Sequence, residues 1–167
     1  MRKLFLGVGL ALLVSTPVMA QTYSANPKLA ADARLVEGVT IEDLKAIVVS
    51  AGYKIDALNP VDDVSIRGKS PEGLVFLLIG TACQQKVCQG IMMQIRYDTD
   101  ERVTMEKINK ANLAEAAVSA WFDREDKTMG ISRYVVLDHG VTMANIKANL
   151  EVLIAIAPAV VDITFSE

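Results

Sequence analysis

The two cysteines of the chain, Cys83 and Cys88, have the side chains best suited to covalent chemistry. They flank the segment Gln84–Val87, which the sequence pattern places between two strands. In an oxidising compartment such a pair forms a disulfide, and closing so short a loop stabilises a fold by about 2 kcal/mol. Catalytic disulfides of the thioredoxin kind use a Cys-x-x-Cys motif at a helix N-terminus instead. The spacing therefore favours a structural disulfide and leaves a thiol–disulfide active protein as the alternative.

The histidine and the acidic clusters offer little catalytic or metal-binding chemistry. His139 is the only histidine, so a His–His metal site is excluded, and no Gly-x-Ser-x-Gly motif supplies a nucleophile. Asp138-His139-Gly140 favours a turn instead. Acidic residues crowd three loops without completing a calcium-binding loop, so solvated turns are favoured there. We therefore expect no catalytic residue, no metal and no cofactor. The acidic loops are Asp62–Asp63, Asp98–Glu101 and Asp123–Asp126.

The helices that must position any site are predicted to begin at threonines. Each of these threonines follows a valine and has Leu or Ile at the fourth helical position after it, which is the spacing of a hydrophobic staple. Gly52 is predicted to end the first helix, and Pro158 to stop or kink the last one. The helix-starting residues are Thr40, Thr104 and Thr142.

The strands are predicted from apolar alternation and short apolar runs. Asn59–Pro60, Gly68–Gly73 and Gly80 act as breakers between the first four. The order α-β-β-β-β-α-β-β-α predicts an α+β domain with a mainly antiparallel sheet and flanking helices. The predicted strands are Lys54–Leu58, Val64–Arg67, Leu74–Ile79, Ile91–Tyr97, Val118–Asp123 and Met129–Asp138.

One face of this sheet is a candidate binding surface. Met92, Trp121, Tyr134 and Val136 fall on strand positions opposite the more uniformly apolar faces. An apolar, uncovered sheet face on a small domain is typical of a partner site. A helix that covers this face is the alternative.

The N-terminal residues have the pattern of a secretory signal peptide. Two basic residues precede the apolar run Leu4–Val14, which is shorter than the roughly 20 residues of a membrane span. Small residues then fit a cleavage site between Ala20 and Gln21. We therefore expect a bacterial exported protein, periplasmic or secreted, with a signal peptide at residues 1–20 and no membrane span.

The composition indicates one folded domain with no affinity for nucleic acid. The whole chain has a formal net charge of -3. Removal of the signal peptide also removes Arg2 and Lys3, so the remaining chain is more acidic. Binding to phosphates needs clustered Lys and Arg, which the sequence lacks. Residues 21–38 are polar and Ala-rich and predict a flexible lead-in, and residues 39–167 predict a single domain.

Five short motifs follow one another along residues 39–165: Thr40–Leu44, Ala51–Tyr53, Ile91–Tyr97, Ile108–Asn112 and Gly140–Thr142. With these motifs the chain resembles the YbjN domain family of bacterial proteins. The resemblance implies a fold similar to the small chaperones of type III secretion, which bind extended segments of client proteins, and it brings no catalytic residues. Members are described as sensory-transduction regulators.

Five residues match the family motifs and are expected to have structural roles. Asn109 and Asn112 match the motif of the second helix, where hydrogen bonds would tie the helix end to the following loop. The other three are Thr40, Gly52 and Thr142.

These observations together predict an exported, non-enzymatic protein of the YbjN type. It would bind a protein or peptide partner, in a regulatory or chaperone-like role, through its sheet face, as a monomer or a homodimer. The alternatives are the thiol–disulfide active protein named above and a binder of a small apolar ligand held between helices and sheet.

Overall fold

An antiparallel sheet of six strands forms the centre of the fold, and the helices pack on one of its faces. The computed structural model describes residues 31–167, so the predicted signal peptide and the first part of the lead-in lie outside the described residues. The strand order is β2-β3-β4-β5-β7-β6, which confirms the predicted α+β class. The strands are β1 (Leu35–Val36), β2 (Lys54–Leu58), β3 (Ser65–Lys69), β4 (Val75–Gln84), β5 (Val87–Asp98), β6 (Ser119–Asp123), β7 (Thr128–Val136) and β8 (Val141–Thr142).

Each helix begins next to the threonine that the sequence predicts. The side-chain oxygens of Thr40, Thr104 and Thr142 each accept a hydrogen bond from a backbone N–H of the first helical turn. These bonds satisfy N–H groups that have no partner inside the helix, which explains why local sequence alone places the helix starts. The helices are α1 (Ile41–Ser50), α2 (Met105–Ala114) and α3 (Met143–Thr164).

The last helix runs through its proline. Pro158 lies inside α3 and does not stop it. Its ring removes one backbone hydrogen bond, which costs about 3 kcal/mol in an isolated helix. Beyond the proline, Val160 and Thr164 are buried against the core. We infer that this packing carries α3 past the proline to Thr164.

Two glycines that the sequence assigns to breaks lie inside strands. Gly68 is in β3 and Gly80 is in β4, so both strands run further than predicted. A glycine weakens an isolated strand because it has no side chain to pack. Here other groups fill the space: the Phe76 ring lies over Gly68, and the Cys88 sulfur lies against Gly80.

The helices cover the inner face of the sheet. From α3, Ile146, Leu150 and Leu153 are fully buried against this face. Alternate residues along the central strands supply the opposing side of the core. The largest of these buried side chains are Ile66, Phe76, Leu78, Ile91, Met93, Ile95, Met129 and Ile131.

Part of the predicted lead-in is built into the fold. Leu35–Val36 pairs with Val141–Thr142, and Val36 is buried. Val39 then exchanges two backbone hydrogen bonds of 2.9 Å with Cys88. Residues 35–39 therefore join the start of α1 to the hairpin between β4 and β5.

Asp43 stabilises the start of α1 and makes this stabilisation dependent on pH. Its carboxylate accepts hydrogen bonds from the Thr40 backbone N–H (2.9 Å) and hydroxyl (2.8 Å) and pairs with Arg34. Burial raises the pKa of Asp43, but the bonds from Arg34 and Thr40 outweigh it and hold the pKa below its usual value. A carboxyl group with a lowered pKa stabilises the fold above its unfolded pKa, near 4, and this stabilisation is lost as the pH falls through the folded pKa.

We therefore expect Asp43→Asn to lower the free energy of unfolding by about 0.5–2 kcal/mol at pH 7. Below about pH 4 the difference from the wild type should shrink, because this carboxyl group is then protonated in the unfolded wild type, and in the folded protein as the pH falls through its lower pKa. Urea unfolding at pH 7 and pH 3 measures both values. Glu42→Gln is the control, since Glu42 is exposed and its one ion pair within residues 31–167 is with Lys45. An Asp43→Asn penalty that is the same at both pH values would contradict the assignment.

Candidate functional site

The outer face of the sheet, which points away from the helices, carries a continuous apolar patch. The cross-strand register places Ile79 beside Met92 and Met92 beside Tyr134 on this face. None of the patch residues belongs to the buried core, and within residues 31–167 the helices pack on the opposite face. The outer patch, as we call it, consists of Val75, Leu77 and Ile79 on β4, Met92 on β5, and Tyr134 and Val136 on β7.

All four residues predicted for the binding surface lie on this outer face. Met92 and Tyr134 are direct neighbours, and Val136 follows two positions along β7. Tyr134 is 47% exposed and Val136 is 55% exposed. Trp121 lies nearer one end of the sheet, on the edge strand β6. The four residues thus share one face of β5, β6 and β7, and their role in binding stays a prediction.

The sequence pattern does not predict that residues of β4 belong to the outer patch. Val75, Leu77 and Ile79 point outward, while Phe76 and Leu78 point into the core. Since both sets are apolar, the run Leu74–Ile79 shows no alternation that would mark one face as solvent-exposed. Only the position of β4 in the centre of the sheet, between β3 and β5, assigns its outward residues to the patch.

Two aromatic rings on the outer face lie across strand glycines. A β-carbon on Gly90 would come within 2.1 Å of the Tyr134 hydroxyl oxygen, and one on Gly130 within 2.0 Å of the Trp121 ring. The Tyr134 hydroxyl also hydrogen-bonds the Thr81 hydroxyl at 2.8 Å. Both rings therefore lie against the sheet on its outer face.

Cationic side chains border a hollow of about 230 Å³ at one side of the outer patch. Arg96 donates to the Gln94 amide oxygen at 2.8 Å, and its guanidinium carbon lies 5.9 Å from the centre of the Trp121 ring. Arg67 lies across the hollow and pairs with Asp56. The hollow is lined by Pro60, Val61, Arg67, Val75, Phe76, Leu77, Gln94 and Arg96.

Cys83 and Cys88 lie opposite each other on β4 and β5, with their sulfurs 2.11 Å apart. Cys83 is exposed, whereas Cys88 is fully buried. A β-carbon on Gly80 would lie 2.4 Å from the Cys88 sulfur. The pair is therefore at disulfide-bonding distance, with one sulfur packed into the core.

His139 and the acidic loops lie in turns. His139 is exposed with φ 64° in the turn before α3. Asp62 accepts a hydrogen bond from the Val64 N–H at 3.0 Å, and Asp123 accepts one from the Glu125 N–H at 2.9 Å. Hydrogen bonds from Arg102 lower the pKa of Asp100. No cluster of metal-ligating side chains, and no helix long and apolar enough to cross a membrane, occurs in residues 31–167.

One protein family matches most of the chain. The YbjN family, described as "Putative bacterial sensory transduction regulator", matches residues 40–162. The chain belongs to the YbjN family. This result confirms the resemblance found in the sequence. A comparison with curated protein sequences found no match.

Two crystal structures share the YbjN fold with this chain. YbjN from E. coli is 12% identical, with a TM-score of 0.52 over 75% of this chain and 95% of that chain. A protein from Methanothermobacter thermautotrophicus is also 12% identical, with a TM-score of 0.50 over 73% of this chain and 94% of that chain. At this identity the similarity establishes the fold alone.

The two asparagines of the YbjN helix motif differ in their surroundings. The Asn112 amide nitrogen donates to the Ala120 carbonyl at 3.0 Å, and the Ala120 N–H donates to the Asn112 amide oxygen at 2.7 Å. Asn112 thus pairs with the free edge of β6 as a neighbouring strand would. Asn109 and Asn112 are both exposed, but the Asn109 side chain makes no hydrogen bond to any of residues 31–167. The predicted structural role therefore fits Asn112, although the bonded segment is a strand instead of a loop.

We expect Asn112→Ala to lower the free energy of unfolding by about 1–3 kcal/mol, because it leaves two backbone groups of Ala120 without partners. Asn112→Asp should cost a similar amount, since a carboxylate oxygen would then face the Ala120 carbonyl. Asn109→Ala is the matched control and should stay within about 0.5 kcal/mol of the wild type. Urea unfolding of the three variants measures these differences, and equal losses at both asparagines would contradict the edge-pairing role.

Proposed function

We propose that this protein is exported and acts by binding a protein or peptide through the outer patch, in a regulatory or chaperone-like role and without catalysing a reaction. The observation that carries the proposal is the patch itself. Six apolar side chains from three neighbouring strands lie together on a face that the helices of residues 31–167 leave open. Exposed apolar patches of this kind mark interaction sites in soluble domains.

The family description supports a regulatory role, since regulators act through partners. The flat Tyr134 and Trp121 rings also support binding, because aromatic side chains supply large contact area and are enriched at the centres of interfaces. The signal-peptide pattern of residues 1–20 supports export.

Site-specific photocrosslinking in cells tests the binding proposal. A photoreactive residue at Met92 or Tyr134 should give a discrete adduct, which mass spectrometry identifies. The same residue at Lys110, which is exposed on α2, is the control and should give no such adduct. Equal labelling at all three positions, or no adduct at Met92 and Tyr134, would count against the outer patch as a binding surface.

Cell fractionation tests the export proposal separately. The protein should be recovered from the periplasm or the medium, and N-terminal sequencing should begin at Gln21. Recovery from the cytoplasm with Met1 or Arg2 at its N-terminus would refute export and leave the binding proposal standing.

A further inference from the structure

Cationic side chains on two strands border one side of the outer patch, although the chain as a whole is acidic. Lys69 and Arg67 lie on β3, and Arg96 lies on β5. The β4 residues Val75 and Leu77 run between them, since Val75 pairs with Lys69 and Leu77 pairs with both Arg67 and Gln94. Two strand spacings separate β3 from β5, or about 9–10 Å. We refer to Lys69, Arg67 and Arg96 as the cationic rim.

Most of the rim charge is not neutralised within the fold. Arg67 pairs with Asp56, but neither Lys69 nor Arg96 forms an ion pair with any carboxylate of residues 31–167. Lys54 lies directly opposite Lys69 on β2, and like charges in such a position are destabilising. Asp98 on β5 and Asp123 on β6 both lie opposite Thr128, two positions along the strands from Arg96 and its neighbour Gly130, and neither forms an ion pair with Arg96. A bound anion would therefore relieve repulsion that the fold leaves in place.

The rim side chains also have the geometry to bind carboxylates. The Arg96 guanidinium is oriented by Gln94 and rests near the Trp121 ring, so part of its conformational freedom is already lost before binding. Arg67 and Arg96 approach the same hollow, whose lining includes Val75 and Leu77. A ligand that fills the hollow thus meets an apolar surface with a guanidinium on each side.

We propose that the cationic rim selects partner segments in which carboxylates flank an apolar side chain. The apolar side chain packs on Val75 and Leu77, and the carboxylates pair with Arg96 on one side and with the β3 cations on the other. This inference rests on the proposed function, because it names the chemistry of the partner that the outer patch binds. It commits to an acidic amphipathic protein segment as the occupant.

Matched peptides test the inference on the purified protein. The probes are a short labelled peptide that alternates Glu with Leu and the same peptide with every Glu replaced by Gln. Fluorescence anisotropy should show that the Glu peptide binds about tenfold more tightly at low salt, since each exposed ion pair contributes up to about fivefold. The difference should shrink as salt is added. Trp121 is the only tryptophan, so its emission should change on binding of the Glu peptide.

Charge-matched variants locate the effect. The double variant Lys69→Gln/Arg96→Gln should lose about tenfold in affinity for the Glu peptide and little for the Gln peptide. Lys110→Gln/Arg124→Gln removes the same charge from exposed positions on α2 and the β6–β7 turn and should leave both affinities unchanged.

Each other outcome overturns the inference in a distinguishable way. Equal affinities for the Glu and Gln peptides would refute selection by charge but would leave the outer patch as a binding surface. If neither peptide bound and sedimentation showed a dimer that buries Trp121, a second copy of the chain would be the occupant. If neither peptide bound and the protein were monomeric, selection of acidic segments would be refuted. The crosslinking result would then decide the proposed function by itself.

Discussion

Replacing Phe76 with alanine is expected to lower the free energy of unfolding by about 3–5 kcal/mol. The Phe76 side chain is 1% exposed and meets the Tyr53 ring edge to face, with the ring centres 5.5 Å apart. It also covers Gly68 on the neighbouring strand, which has no side chain of its own to fill that space. Truncation to alanine therefore removes buried area and uncovers a glycine in the strand. Urea unfolding followed by circular dichroism measures the loss.

A double-mutant cycle with Gly68→Ala tests whether ring and glycine act as a unit. A β-carbon on Gly68 would lie 2.3 Å from the tip of the Phe76 ring, so Gly68→Ala alone should cost about 1–3 kcal/mol. In the Phe76→Ala background the ring is absent, and Gly68→Ala should be neutral or should stabilise by about 0.5–1 kcal/mol. The coupling should therefore reach about 2 kcal/mol. Losses that simply add would show that the two positions are independent.

The contact between Phe76 and Gly68 explains why the sequence pattern wrongly places a break between strands at this glycine. A glycine followed by polar residues, as at Gly68, has the local signature of a turn. Its place in β3 depends on Phe76, which reaches it only after β3 and β4 have paired. The same holds for Gly80, whose empty space is filled by the Cys88 sulfur from β5. Such compensation is non-local, so a residue-by-residue interpretation ends these strands too early.

The helix starts are predictable because their causes are local. Thr40, Thr104 and Thr142 each bond to the turn that follows them, and the valine before each threonine is also part of the motif. By contrast, nothing near Leu35 or Val39 in the sequence indicates a pairing with Val141–Thr142 or with Cys88. These contacts join segments far apart in the chain, and a single sequence carries no direct signal for them.

The candidate site also has a part that local sequence predicts and a part that depends on the sheet order. Alternation along β5 and β7 is sufficient to place Met92, Tyr134 and Val136 on one face. The cationic rim is not predictable from the sequence, because Arg67 and Arg96 meet across β4 only when the order β3-β4-β5 is established. The outward residues of β4 are hidden by the apolar character of both its faces. The sequence thus predicts single residues of the candidate site, and the sheet order brings them together.

Removing the link between Cys83 and Cys88 is expected to have the second largest effect. The double variant Cys83→Ala/Cys88→Ala should lose about 3 kcal/mol of unfolding free energy. About 2 kcal/mol comes from the closed loop, and about 1 kcal/mol from the space left by the buried Cys88 sulfur. The loss of stability should extend to the start of α1, because the Cys88 backbone is hydrogen-bonded to Val39, just before the Thr40 cap. Hydrogen exchange at the Val39 and Cys88 amides should accelerate more than exchange within α3.

The wild-type protein under reducing conditions is the control that separates the two contributions. Reduction opens the loop but keeps the sulfur at position 88, so the reduced wild type should lose only the part due to the crosslink, about 2 kcal/mol. Full stability of a protein shown by alkylation to be reduced would refute a structural role. The same samples test the alternative of a thiol–disulfide active protein, which requires an accessible attacking sulfur. Cys83 is exposed, but it lies on a strand instead of at a helix N-terminus, where catalytic thiols are activated, so we expect no insulin reduction. Rapid reduction that is lost in the double variant would establish the redox function instead.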